Sequence, residues 1–206
     1  MRSPGLRNAL FCFVSGVLCG LLNAARCPNS LDGACPIAAL QVFYGPEIGW
    51  AVWLDWINWV PGLVFGTLLS LAAVDWRQVD QRSRAAQFLI AAAIIYVLAG
   101  PLFFGTLLLT ENLVSGEILW LLPAGFITGA FGALGLAVAA RMLFPLPGHP
   151  KRALGWTALT AALGGVAGLA FVTVCFFGAA AIVAAWPLAF VLWQVPVGLA
   201  LRRAAT

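Results

Sequence analysis

Long apolar runs constrain this chain more than any other feature of its sequence. Hydrophobic residues make up 63% of its 206 residues and charged residues only 9%, whereas a soluble domain carries about 25% charged residues. A soluble core cannot enclose so much apolar surface, but a helix of about 20 apolar residues suits the hydrocarbon thickness of a bilayer. The runs do not alternate polar and apolar residues, which excludes a β-barrel. The sequence therefore predicts an all-α integral membrane protein, with the lipid bilayer as its main partner.

The apolar runs and their charged interruptions predict six transmembrane helices in a single domain covering residues 1–206. The expected spans are 8–25, 58–75, 85–108, 118–140, 154–177 and 180–201. Short connections would arrange them as three hairpins. Little of the chain is left for chemistry outside the membrane.

The distribution of Lys and Arg predicts the orientation, because these residues accumulate in cytoplasmic loops. With the N-terminus inside, ten bases face inward: Arg2, Arg7, Arg77, Arg82, Arg84, Arg141, Lys151, Arg152, Arg202 and Arg203. Arg26 alone faces outward, together with Asp32, Glu47, Asp55, Glu111 and Glu117. We therefore expect both termini on the cytoplasmic side of the plasma (inner) membrane. The membrane topology accounts for the excess of basic over acidic residues, so nucleic-acid binding is not predicted.

The N-terminal 25 residues admit two interpretations. A basic start, an apolar stretch and Asn23-Ala24-Ala25 resemble a secretory signal sequence, whose cleavage would leave five spans. Asn at the third position before that cut fits the small-residue rule poorly. Gly16 and Gly20 form a small-xxx-small pair that suits helix packing, which favours retention as the first span.

The cysteines divide into outer-loop and helical groups. Cys27 and Cys35 flank a turn-rich outer loop, and we predict a disulfide between them. The alternative is a redox or metal-handling pair. Cys12 and Cys19 share a face of the first helix with Ser15, Gly16 and Asn23, which is typical of helix packing. A thiol path for soft metals is the competing interpretation, and only Cys175 would be available as a further ligand on another helix.

The segment WAVWLDWINWVPG, residues 50–62, carries the strongest hint of a binding site. We interpret it as a short interfacial helix on the outer side, before the second span. Asp55 and Asn58 mark its polar side, flanked by Trp53, Trp56 and Trp59. Aromatic faces beside a carboxylate attract organic cations, but tryptophans also collect at membrane interfaces without any ligand. Gln194, inside the sixth span, is a further candidate, although buried glutamines most often hydrogen-bond across helices.

Prolines and glycines predict how the helices begin and pack. Each outward-to-inward helix starts with a Trp-Pro pairing, so Pro61, Pro123 and Pro187 are expected in or before the first helical turn. Pro101 is expected inside the third helix. The regular spacing indicates either an ancient triplication or one bilayer crossed three times. The glycine-rich stretches 125–135 and 164–168 predict closely packed helices.

The inventory of reactive groups favours a protein without enzymatic activity. His149 is the only histidine, no carboxylate falls in the middle of a span, and neither a phosphate loop nor a nucleophile elbow is present. We predict no catalytic residue, cofactor or metal site. In size and hydropathy alone, the chain resembles the small substrate-binding components of vitamin uptake systems. The acids and tryptophans of the outer face lead us to expect a transporter, or a transporter component, that handles a small cationic or amphipathic solute. The alternative is a structural or assembly subunit that packs against other membrane proteins.

Overall fold

The structure is a computed structural model that describes residues 4–24, 56–110, 121–144, 150–177 and 182–204. These residues contain six helices and no strand. The helices are α1 (Pro4–Ala24), α2 (Trp56–Ala73), α3 (Val79–Thr110), α4 (Leu121–Leu143), α5 (Pro150–Phe177) and α6 (Ile182–Ala204). The all-α prediction is confirmed for this part of the chain.

Three helices contain apolar segments long enough to cross a membrane. These segments are Val79–Leu107 in α3, Leu121–Leu143 in α4 and Ala153–Ala170 in α5. The apolar segments described in the other three helices are shorter: Leu6–Leu22, Trp59–Ala72 and Pro187–Leu201. At three of the six predicted spans, the structure therefore has a helix that is long and apolar enough to cross a membrane.

The prolines lie deeper in their helices than the sequence suggested. Pro123 is the third residue of α4, in its first turn as expected. The prediction is wrong for Pro61 and Pro187, each of which is the sixth residue of its helix. α2 and α6 begin more than one turn before the proline. The carbonyl four residues before each proline therefore has no N–H partner within its helix. Pro101 lies inside α3 as predicted.

The six helices pack in a closed ring that follows chain order. Each helix contacts its sequence neighbours, and α6 returns to pack extensively against α1. α6 also touches α2 and α4 across the ring, which places it nearest the centre. Neighbouring helices run antiparallel: Gly16 of α1 faces Val191 of α6, whereas Cys12, one turn earlier, faces Gly198. The ring brings residues from distant parts of the sequence to one interior.

The closest helix contact joins α4 and α5, where the glycine-rich stretches face each other. A side chain on Gly129 or Gly164 would run into the backbone carbonyl of the other residue. Gly125 and Gly168 are related in the same way one turn away. In lipid, helix association depends on such close van der Waals contact because hydrophobic burial contributes little. The predicted close packing is therefore confirmed, and these small-residue faces are used within the chain.

The bundle has apolar side chains both inside and outside. Its main core draws residues from all six helices: Cys12, Phe65, Leu69, Phe88, Ala92, Ala133, Leu136, Ala137, Ala167, Trp193, Val197 and Leu201. Large apolar side chains also cover the outer surface, among them Phe13, Ile90, Leu109 and Val166. Large apolar side chains exposed in this number suit contact with lipid.

The described arginines gather at one end of the bundle. The Arg7 guanidinium donates to the carbonyl of Ala72 at the end of α2, and residues 74–78 join that end to α3. Phe88, near the start of α3, packs edge-on against Phe144, just after α4, with ring centroids 6.1 Å apart. Arg141, in the last turn of α4, therefore lies at the same end as Arg7.

Candidate functional site

A buried polar network links α1, α2, α3 and α6 inside the bundle. Gln194 of α6 is fully buried, and its Nε2 donates to the Tyr96 hydroxyl at 3.0 Å. The same nitrogen donates to the Cys19 sulfur at 3.4 Å. Cys19 in turn donates to the Pro61 carbonyl of α2 at 3.6 Å, and its sulfur lies 4.0 Å from the Ser15 hydroxyl. Four helices thus meet in one chain of polar contacts.

The side-chain carbonyl of Gln194 has no hydrogen-bond partner among the described residues. In this orientation both amide hydrogens face acceptors, and the Cys19 thiol donates to Pro61. In the reverse orientation the Tyr96 hydroxyl, which is a donor as well as an acceptor, would donate to Oε1, and the NH₂ group would be left without a partner. An unpartnered buried carbonyl costs about 1 to 3 kcal/mol. The site therefore has an unused acceptor, Oε1.

Three aromatic rings pack together beside this network and are joined to it through Tyr96. Tyr96 and Trp193 meet edge to face with centroids 5.5 Å apart, and Phe65 lies 6.1 Å from Trp193 and 6.2 Å from Tyr96. Gly132 of α4 leaves room for the indole, since a Cβ there would lie 3.2 Å from Trp193 Cζ2. The Gln194 network therefore adjoins, through Tyr96, a cluster of three aromatic rings from α2, α3 and α6.

Gln194 and Tyr96 lie near the middle of α6 and α3, whereas Cys19 and Pro61 lie nearer the end of the bundle opposite the arginines. Twelve residues of α6 precede Gln194 and ten follow it. Along their helices, Tyr96 lies about 18 Å from Arg84 and Cys19 about 18 Å from Arg7, whereas Gln194 lies about 12 Å from Arg202. No charged side chain of the described residues takes part in the network. The interior at this level is polar but uncharged.

The predicted outer site is described only in part. Asp55, Trp53, Cys27 and Cys35 lie outside the described residues, so the aromatic cage and the disulfide stay predictions. Trp56 and Asn58 belong to the first turn of α2. Trp59, the remaining tryptophan of the predicted site, is half-buried near the start of α2. Among the predicted site residues, Gln194 is the one for which the structure describes contacts with other helices.

Sequence reasoning missed the partners of Gln194. Tyr96 sits in an apolar run with nothing to mark it except its own hydroxyl. The packing face on α1 was predicted, and Cys12, Ser15, Gly16 and Cys19 are indeed buried. Within the described residues, no group of three His, Cys, Asp or Glu side chains is placed to hold a metal ion. The signal that could have found the site is the presence of tyrosine, glutamine and cysteine in otherwise apolar helices.

In its described residues the protein is all-helical, with helices apolar enough to span a membrane and a small uncharged polar network inside an otherwise apolar bundle. Neither a family model, nor a curated protein, nor a solved structure matches the chain. Its function must therefore be argued from its own residues.

Proposed function

We propose that this chain is a multi-pass membrane protein that binds a small amphipathic or cationic solute, as a transporter or as the substrate-binding part of one. The observation that carries the proposal is the unpartnered Gln194 carbonyl at the centre of the helix ring. Binding sites are mostly apolar, with a few polar groups that fix the ligand. The Gln194 site has this composition, and its central depth resembles that of substrate sites in transporters generally.

The proposed membrane arrangement has six spans, with both termini on the cytoplasmic side. The clustering of Arg7, Arg82, Arg84 and Arg141 at one end supports it, because basic residues favour the cytoplasmic face. The packing of α1 against α6 and α2 supports retention of the N-terminal helix. Labelling of Cys27 and Cys35 in intact cells by an impermeant maleimide, after reduction, tests the orientation. Labelling from the cytoplasmic side alone would overturn it.

A second part of the proposal concerns Asp55 on the outer side. Asp55 immediately precedes α2 and lies six residues before Pro61, whose carbonyl belongs to the Gln194 network. An organic cation bound there, between Trp53, Trp56 and Trp59, would lie near the end of α2 that contributes to the Gln194 network. Stabilisation of the purified protein by organic cations, lost in Asp55→Asn, would support this site. Unchanged stabilisation in that variant would remove it.

The alternative is a structural or assembly subunit of a larger membrane complex. The glycine faces of α4 and α5 no longer support it, since they pack against each other within the chain. Purification in mild detergent separates the two functions. A monomer stabilised by small amphipathic molecules favours solute binding, whereas a stable stoichiometric partner and no response to small molecules favour the subunit.

A further inference from the structure

Two of the arginine side chains that the structure describes have guanidinium groups without a partner. Arg77 and Arg84 are exposed, and neither side chain has a hydrogen bond or an ion pair among the described residues. The other described arginines donate to acceptors on their own chain: Arg7 to the Ala72 carbonyl, Arg82 to the Trp76 carbonyl and Arg141 to the Thr157 hydroxyl. Arg77 and Arg84 therefore present positive charge that an anion can approach.

Arg84 differs from Arg77 because it lies within an apolar segment. The segment Val79–Leu107 of α3 is long enough to cross a membrane, and Arg84 lies five residues into it, or about 7.5 Å along the helix. Since Arg84 is exposed, in a bilayer it faces lipid rather than the other helices. A long basic side chain in this position extends its charged group toward the lipid headgroups.

The same face of α3 continues into the membrane with one polar residue and then apolar residues. Gln87, three residues after Arg84, is exposed, and its amide has no hydrogen-bond partner among the described residues. Such an amide is costly against hydrocarbon unless a partner is supplied. Ile94 and Leu98 follow at helical spacing on this face and are 43% and 49% exposed. From Gln87 to Leu98 the helix rises about 16 Å, close to half of a hydrocarbon core of about 30 Å.

The carboxylates near this face leave the positive charge in excess. Asp75 is engaged within the connection before α3: its carboxylate accepts from the Arg77 backbone N–H at 3.1 Å and from Gln78 Nε2 at 3.4 Å. Asp80 is exposed on the same face as Arg84, one turn nearer the water, and forms no ion pair with it. The charges therefore favour an anionic headgroup over a zwitterionic one.

We propose that this face of α3 binds one anionic phospholipid from the leaflet at the arginine end of the bundle. The Arg84 guanidinium and the Gln87 amide donate to the headgroup phosphate, and Arg77 adds a second positive charge from the water side. One acyl chain packs along Ile94 and Leu98. This inference does not depend on solute binding, because it requires only that this face of α3 is in contact with lipid.

Three probes test the chemistry of the site. Phosphatidylglycerol and phosphatidylcholine with identical acyl chains differ in net charge, and glycerol 3-phosphate carries the phosphate without an acyl chain. Binding of one lipid to the full-length protein in mild detergent is measured by native mass spectrometry. The wild-type protein should prefer phosphatidylglycerol to phosphatidylcholine by about fivefold or more. Glycerol 3-phosphate at the concentration of the lipid should not displace it.

Three variants assign the preference to α3. Arg84→Gln should lower the ratio of the two lipids by about fivefold, the contribution of one arginine near a lipid surface. Arg203→Gln is the matched control, because it removes the same charge from the last turn of α6, which is not a ring neighbour of α3, and it should keep the ratio. Gln87→Leu should weaken both lipids, since both carry a phosphate. The ratio is taken within each variant, so a general loss of stability does not imitate the result.

The remaining outcomes contradict the site. Equal binding of the two lipids by the wild-type protein overturns it, and so does a ratio that falls equally in Arg84→Gln and Arg203→Gln, which would indicate a general attraction to the basic end. Unchanged binding of both lipids in Gln87→Leu also overturns it. Displacement of phosphatidylglycerol by glycerol 3-phosphate would identify a soluble anion as the ligand instead.

Discussion

Gly16→Ala places a methyl group at the point where α1 crosses α6. The added Cβ would lie 2.7 Å from three atoms of Val191: its Cα, its backbone nitrogen and its Cγ2. Ordinary contact begins at 3.4 Å, so the shortfall is about 0.7 Å at each atom, well inside the repulsive range. A rotamer change of Val191 relieves only the Cγ2 contact. One of the two helices has to move.

The expected cost follows from that displacement. Overpacking a well-packed interior costs about 1 to 3 kcal/mol, and alanine recovers up to about 1 kcal/mol through its helix propensity. We therefore expect a net loss of about 1 to 2 kcal/mol in the free energy of unfolding. At about 1.4 kcal/mol per factor of ten, the ratio of folded to unfolded protein falls roughly five- to thirtyfold.

The measurement is reversible unfolding in mixed micelles. The fraction of denaturing detergent is increased stepwise, and the helix content is followed as the signal. Gly155→Ala is the matched control, because Gly155 is exposed on α5 and a Cβ there meets nothing within 4 Å. Its unfolding midpoint should equal or exceed that of the wild type. Equal midpoints for the two variants would refute the assigned contact between α1 and α6.

Three further predictions use the same preparation. Gly168→Ala drives a Cβ into a backbone carbonyl of α4 and should cost about 1 to 3 kcal/mol; a wild-type unfolding midpoint would contradict that crossing. Tyr96→Phe removes one acceptor from the buried amide and should cost about 0.6 kcal/mol; a gain in stability would contradict the bond. Cys12 and Cys19, 1% and 0% exposed, should resist maleimide until unfolding, as mapped by mass spectrometry; rapid labelling of the folded protein would contradict their burial.

The main organisation of the fold could be predicted because it depends on local sequence. An apolar run of sufficient length has to satisfy its own backbone when lipid surrounds it, and only a helix does so without partners. The six helices accordingly lie where the apolar runs lie. The glycine-rich stretches likewise predicted a close helix contact, since very small residues let two helix backbones approach each other.

Helix ends were less predictable. Pro61 and Pro187 were expected in the first turn but lie one turn further in. A proline permits a helix to start at its position but does not force it to, because the preceding turn can form when the surrounding bundle supports it. The physical cost is one unpaired carbonyl, which interfacial water can satisfy.

Only the tertiary structure decided which polar residues meet. Gln194 was visible as a polar residue in an apolar helix, but its partners Tyr96 and Cys19 are separated from it by 98 and 175 positions. Hydropathy indicates which segments are apolar enough to span a membrane. It does not indicate which face of a helix turns inward or which helices are neighbours. The sequence alone determined a helical membrane protein. The closure of the ring by α6 on α1 determined its interior, because only that packing brings the two ends of the chain to one site.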